Sequence, residues 1–162
     1  MDTRTISLED WARYAQKGVE IPITVPLHGS SMEPLIRYMK DEVTIVPLKR
    51  APMVGDIVMF RRADGAHVVH RVYRVTQEEV ITWGDNCLGP DAPLKREDVL
   101  GLVTAMRRNG KRYPLDTARQ RAYGVRWMRR GRKVWLAYRR MRGRAGRAVR
   151  ALSRKKGSGN RK

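Results

Sequence analysis

One cysteine, Cys87, occurs among 162 residues, which excludes an internal disulfide framework and any cysteine-rich zinc site. Long hydrophobic runs are missing as well: no window approaches the ~18–20 consecutive apolar residues that a membrane-spanning helix requires. The opening segment, MDTRTISLEDWARYAQKG, has no apolar stretch of the kind a secretory signal carries. Acid is absent from residues 117–162, every Asp and Glu having been passed by Asp116. These absences set the expectation of a protein that is cytoplasmic, or peripheral on the cytoplasmic face of a membrane.

What is present divides at the same point. Residues 1–116 hold all 16 acidic residues and 17 of the 35 Lys and Arg, so they are nearly neutral. The other 18 cations fall between Arg119 and Lys162 with nothing to balance them, and they account for almost the whole net charge of +19. Three segments follow: an N-terminal helix in 1–18, a catalytic-type domain in 19–116 and a polybasic amphipathic helical tail in 117–162. Ser7 and Asp10 form an N-cap pair, Leu8, Trp11 and Ala15 recur at helical spacing, and Gly18 supplies a stop, which predicts a helix over 8–17. From Val19 the period becomes two, with Pro22 and Pro26 giving the run 19–27 the character of an edge strand. Further strands are expected at 42–48, 56–62, 67–76, 79–83 and 99–106. Asp64-Gly65 between two of them predicts a two-residue type I′ hairpin. That turn would set His70 opposite Met59, on one face with Val68 and Val72, and His67 on the other, solvated face. The fold class is therefore mainly β: six or seven short strands with a leading helix. In the tail, Trp127, Val134, Tyr138, Met141, Ala145, Ala148 and Leu152 step by three, four or seven, while Gly124, Gly131, Gly143 and Gly146 each weaken a helix by roughly 1 kcal/mol relative to Ala. The final KKGSGNRK has the composition of a frayed terminus.

The densest chemistry is His28-Gly29-Ser30-Ser31-Met32-Glu33-Pro34, directly after a strand. A Gly-Ser-Ser turn exposes a hydroxyl beside free backbone N–H groups, as a nucleophile with an oxyanion hole requires, although such turns are commonly only turns. His70, on an apolar strand face, is the candidate base; the plainer alternative is a core histidine with its hydrogen bond satisfied. His28 could line the site. Gly84-Asp85-Asn86 and Asp91 offer two carboxylates, either of which could orient an imidazole, though both also lie in ordinary loop-forming sequence. Neither the histidines nor Cys87 show metal-ligand spacing, and no cofactor is called for.

Gly29-Ser30-Ser31-Met32-Glu33-Pro34, Val54-Gly55-Asp56-Ile57-Val58-Met59-Phe60, His70-Arg71-Val72, Gly84-Asp85-Asn86 and Val99-Leu100-Gly101 resemble, in order and spacing, the successive motif boxes of the signal-peptidase superfamily. The resemblance covers roughly residues 20–107. It is nearest to the branch with a histidine base, that of the archaeal and endoplasmic-reticulum type signal peptidases. It implies a compact, coiled, antiparallel β-barrel-like domain. Ser31 would be the nucleophile, His70 the general base, Asp91 the third member and Asp85 a supporting carboxylate, with the backbone of Ser31 and Met32 forming the oxyanion hole. Three features depart from that pattern, one being the lack of the large inserted second domain seen in some bacterial signal peptidases. The typical transmembrane segment before the domain is missing, and Gly29 stands where many members have a serine whose hydroxyl completes the oxyanion hole. The implied activity is a serine endopeptidase cleaving a peptide or protein precursor beside a membrane, with a small apolar pocket for the residue before the cut. The alternatives are a self-cleaving-repressor-like regulator binding DNA through the tail, and a catalytically inactive binding module. The tail itself suits an anionic membrane surface, with nucleic acid as the other polyanion it could hold; it is expected to supply no chemistry to the site.

Overall fold

The computed structural model describes residues 7–141. The expected apolar positions Ala145, Ala148 and Leu152, the glycines Gly143 and Gly146, and the terminal KKGSGNRK lie outside the described residues. The chain forms a mainly β unit: an antiparallel sheet curled into a half-barrel, with one short helix before it and a helix after it. Helix α1 runs Leu8–Gln16, and the Ser7 side chain accepts from the Asp10 N–H as its N-cap. The strands are β1 (Ile23–Pro26), β2 (Asp41–Pro47), β3 (Ile57–Arg61), β4 (His67–Val75), β5 (Glu79–Trp83), β6 (Leu94–Lys95), β7 (Val99–Arg108) and β8 (Lys111–Pro114). Their order is β1-β2-β7-β3-β4-β5-β6, with β8 added to β7. β1 is thus an edge strand, as its prolines require, because a proline has no N–H to give to a second neighbour.

Both faces of the sheet centre are covered. Along β3 the side chains alternate between two apolar clusters: Ile57 and Met59 join Trp11, Met32, Ile36 and Ile45, while Val58 and Phe60 join Val72, Val80 and Leu102. That explains why β3 reads as a continuous apolar run rather than an alternation. Trp11 of α1 lies on β7 at Gly101, where a β-carbon would come within 2.8 Å of the indole and 2.7 Å of Ile45.

Several expectations need correction. The β3–β4 hairpin is not a two-residue type I′ turn. Arg62 N–H bonds Ala66 O, Gly65 N–H bonds Arg62 O, and Gly65 has φ +85°. This is a three-residue loop with glycine in the left-handed position. The longer loop shifts the register by one, so His70 faces Val58 and Met59 faces Val69. His67 is half-buried at the rim of a cavity it shares with His70, not on a solvated face. The strands β6 and β8 were not anticipated; β6 has two residues and β8 is exposed throughout, so neither leaves a hydrophobic pattern.

The tail also differs. Helix α2 (Ala118–Arg126) passes through a π-helical turn, Trp127–Gly131, into helical residues 132–141. The face turned to the sheet carries Gly124, Met128 and Arg132, all buried, whereas Val134 and Met141 are exposed. The buried stripe thus includes a cation that an apolar count passes over. Among the described residues no helix is long and apolar enough to cross a membrane.

The Gly101 contact can be tested directly. Gly101→Ala is expected to lower stability by about 1–3 kcal/mol through overpacking against Trp11 and Ile45, read as a lower urea midpoint with an unchanged slope.

Candidate active site

The site is assembled from three places in the chain. β4 supplies His70, the β5–β6 connection supplies Asp85, Asn86, Cys87 and Asp91, and the turn after β1 supplies Ser31. His70 is buried, and its Nδ1 lies 2.7 Å from Asp91 Oδ2. Asp91 is itself held: the Thr82 hydroxyl donates to the same Oδ2 at 2.6 Å, and the Asp91 N–H donates to Thr82 O at 2.9 Å. With Nδ1 turned to a carboxylate, Nε2 is the nitrogen left to face the cavity. The ring also packs against Phe60 at 5.9 Å between centroids.

Burial alone would hold the His70 pKa down, but hydrogen bonding to Asp91 and to Cys87, with the attraction of both groups, pushes it up to about 9. Burial likewise acts to raise the Asp91 carboxyl; the bonds from His70 and Thr82 outweigh it and hold Asp91 below its ordinary range. The pair is therefore an imidazolium–carboxylate ion pair at neutral pH.

Ser31 lines the same cavity as His70, Cys87 and Asp91, a space of about 620 Å³ whose other walls include Val25, Leu27 and Ile45. The exposed His28 lies on its rim. The Ser31 turn is pinned by the loop opposite: Asn86 N–H donates to Ser31 O at 2.7 Å, and Asn86 Nδ2 donates to Ser30 O at 2.8 Å. Gly84 allows this approach. A β-carbon there would lie 2.9 Å from Ser31 O, 2.9 Å from His70 Nε2 and 2.6 Å from Cys87 Sγ. The Ser31 backbone carbonyl and His70 Nε2 thus both approach Gly84, and no hydrogen bond joins Ser31 Oγ to the imidazole in this structure. Gly29 has φ +126°, a conformation in which a serine would be strained. The N–H groups of Ser31 and Met32 donate to no described carbonyl or side chain.

Asp85 lies elsewhere. Its carboxylate takes a bidentate pair from Arg71, Nε at 2.9 Å and Nη2 at 2.7 Å, and both residues are 1% exposed. Arg71 Nη1 adds a bond to Gly55 O at 3.0 Å. Asp85 therefore braces the loop and does not touch the imidazole.

Sequence reasoning passed over four contributors: Thr82, Asn86, Cys87 and the C-terminal helix. Cys87 follows Gly84-Asp85-Asn86 directly and could have been flagged by that adjacency. Thr82 carried no signal beyond a strand position. The helix packs on the loop that carries Asn86 and Cys87. Trp127 Nε1 donates to Asp85 O at 3.4 Å, Arg132 donates to the carbonyls of Cys87 and Leu88, and Trp135 Nε1 and Arg139 donate to Asn86 Oδ1. Arg132 also lies 3.6 Å over the Trp83 ring. The indole N–H groups of Trp127 and Trp135 are thus engaged with the domain.

Two stability predictions follow from this geometry. Asp85→Ala is expected to cost about 3–5 kcal/mol, because it leaves the Arg71 guanidinium buried without its partner; chemical denaturation measures it. The His70–Asp91 pair has a pH window. The raised His70 pKa adds stability in full below its ordinary value of about 6.5, and that share is lost as pH rises through about 9. The lowered Asp91 pKa adds stability above about 3.9, lost as pH falls further. Denaturation midpoints of the parent and of Asp91→Asn should therefore lie furthest apart between about pH 4 and 6.5 and draw together above pH 9. A constant separation across that range would show that the ion pair is not formed. No family model, no curated protein and no solved structure matches the chain.

Proposed function

We propose that the chain is a serine endopeptidase of the signal-peptidase type. The observation that carries this reading is the Thr82–Asp91–His70 relay, whose imidazole opens onto the cavity lined by Ser31. Ser31 Oγ attacks the scissile carbonyl while His70 Nε2 takes its proton. Asp91 keeps the ring oriented and stabilises the imidazolium. The developing oxyanion is met by the Ser31 and Met32 N–H groups. His70 then gives the proton to the leaving amine, and water resolves the acyl-enzyme. Val25, Leu27 and Ile45 suit a small apolar side chain before the cut. The substrate is a peptide or protein precursor. The exposed cations Arg126, Arg129, Arg130 and Lys133 on the outer face of the C-terminal helix suit an anionic membrane surface, where each contributes about 1 kcal/mol.

A second reading is favoured by one observation. The Cys87 thiol interacts with His70, whereas Ser31 Oγ forms no bond to it. In this reading Cys87 is the nucleophile and uses the same His70–Asp91 pair.

Labelling with a small fluorophosphonate and, separately, with iodoacetamide distinguishes the two. Fluorophosphonate labelling that Ser31→Ala abolishes and Cys87→Ala leaves intact supports the serine reading; the reverse pattern, with peptide cleavage lost in Cys87→Ala, supports the thiol. For the serine enzyme, the acylation rate should climb with pH through about 9 rather than level off near 6.5, because only neutral His70 accepts the proton. His70→Ala should remove the reaction altogether. A rate already flat from pH 7 upward would show that His70 is not the base.

A further inference from the structure

The hydrogen bonds of Asn86 run in two directions. Toward the cavity, its backbone N–H and its Nδ2 donate to Ser31 O and Ser30 O. Away from the cavity, its Oδ1 accepts from Trp135 Nε1 at 3.0 Å and from Arg139. The amide orientation is fixed by these partners, since a carbonyl oxygen can only receive and an indole N–H can only give. The side chain is 9% exposed, so each bond is made away from bulk water and is costly to leave unmade. The same helix face grips the rest of the loop, with Trp127 on the carbonyl of residue 85 and Arg132 on those of residues 87 and 88. The Arg132 guanidinium is held in turn by the Trp83 ring beneath it.

The Ser30–Ser31 turn has few other restraints. It follows the strained-for-serine position Gly29, and its own internal bond is a 3.2 Å contact from Glu33 N–H to Ser30 O. The carbonyl groups of Ser30 and Ser31 therefore take their position from Asn86, and the Asn86 amide takes its orientation from the helix.

We propose that the C-terminal helix is a positioning element for the nucleophile turn, acting through Asn86: Trp135 and Arg139 fix the Asn86 amide, and Asn86 fixes Ser30 and Ser31. The inference rests on Ser31 as the nucleophile for its catalytic consequence, but the mechanical link stands on hydrogen bonds alone. Trp135 and Arg139 touch no reacting atom. Their effect is one of placement, and a displacement of about 1 Å at a nucleophile can cost on the order of 100-fold in rate.

The test is a double-mutant cycle in the full chain. One arm is the pair Trp135→Phe and Arg139→Gln; the phenyl ring keeps most of the packing and removes the indole N–H. The other arm is Asn86→Asp, which keeps an acceptor for Trp135 and Arg139 but loses the Nδ2 donor to Ser30. Three quantities are read: the fluorophosphonate acylation rate, hydrogen exchange at the amides of residues 30–33 and 86, and the urea midpoint. The helix pair is expected to slow acylation about tenfold or more and to speed exchange at Asn86 and in the turn. In the Asn86→Asp background the same pair should change acylation by less than about twofold. Equal losses in both backgrounds, tracking the urea midpoint, would show a helix that only stabilises the fold and would overturn the proposal. So would unchanged acylation and exchange in the helix pair. If the parent chain is not acylated at Ser31, the nucleophile reading fails by itself, and the exchange rates alone decide the link: faster exchange at residues 30–33 and 86 upholds it, unchanged exchange overturns it.

Discussion

The buried pair between Arg71 and Asp85 is the constraint on which the rest of the site depends. Two charges removed from water are costly, and their attraction repays that cost only where geometry is good and the remaining donors are satisfied. Here the fork is bidentate and Arg71 Nη1 is taken by Gly55 O. The guanidinium fixes four parts of the chain at once. It is next to His70 on β4, it holds the loop that contains Asn86 and Cys87, it bonds the segment leading into β3, and Gly124 of α2 lies directly against it. A β-carbon at Gly124 would meet Arg71 Nη1 at 2.4 Å. The glycine that weakens the helix in isolation is therefore what lets the helix reach the ion pair.

A second charge cluster does similar work on the other side of the Ser31 turn. Asp41 is fully buried and receives Arg37 and Arg108. Burial would raise its pKa, but the two guanidinium groups and the Arg37 N–H hold it well below the usual carboxylate range. The pair closes the segment between β1 and β2 at its far end, on β7, while Asn86 holds its near end. The Ser31 turn is thus suspended between two polar anchors, with Met32 and Ile36 buried in the core between them.

Much of this was legible in the sequence because it was written in local signals. The Ser7 cap, the alternation in β2 and the apolar run of β3 all act over a few residues or follow one strand face. The hairpin register was misread because Asp64-Gly65 serves two turn types, and only the cross-strand bonds select the three-residue form. Thr82, Asn86 and the inner face of the C-terminal helix were hidden for a different reason. Each works through contacts remote in sequence, and Arg132 is buried although a charge in a basic run reads as solvated. The two carboxylates show the same limit: Asp85 and Asp91 sit in similar loop sequence, and only Arg71, 14 residues before Asp85 on β4, separates a brace from an orienter.

The order in which these contacts are made on the chain has a consequence for synthesis. Trp135 and Arg139 lie 49 and 53 residues after Asn86, so a ribosome adding about 5–20 residues per second delivers them several seconds after the loop they hold. The strands β1–β8 have all emerged before α2 is complete. A nascent chain can therefore close its sheet and bury Trp11 and Phe60 while the outer acceptor of Asn86 is still bare. Under the proposed link, the Ser30–Ser31 turn is fixed only after translation has passed the helix, which gives the growing polypeptide an interval in which its sheet is closed and that turn is not yet held.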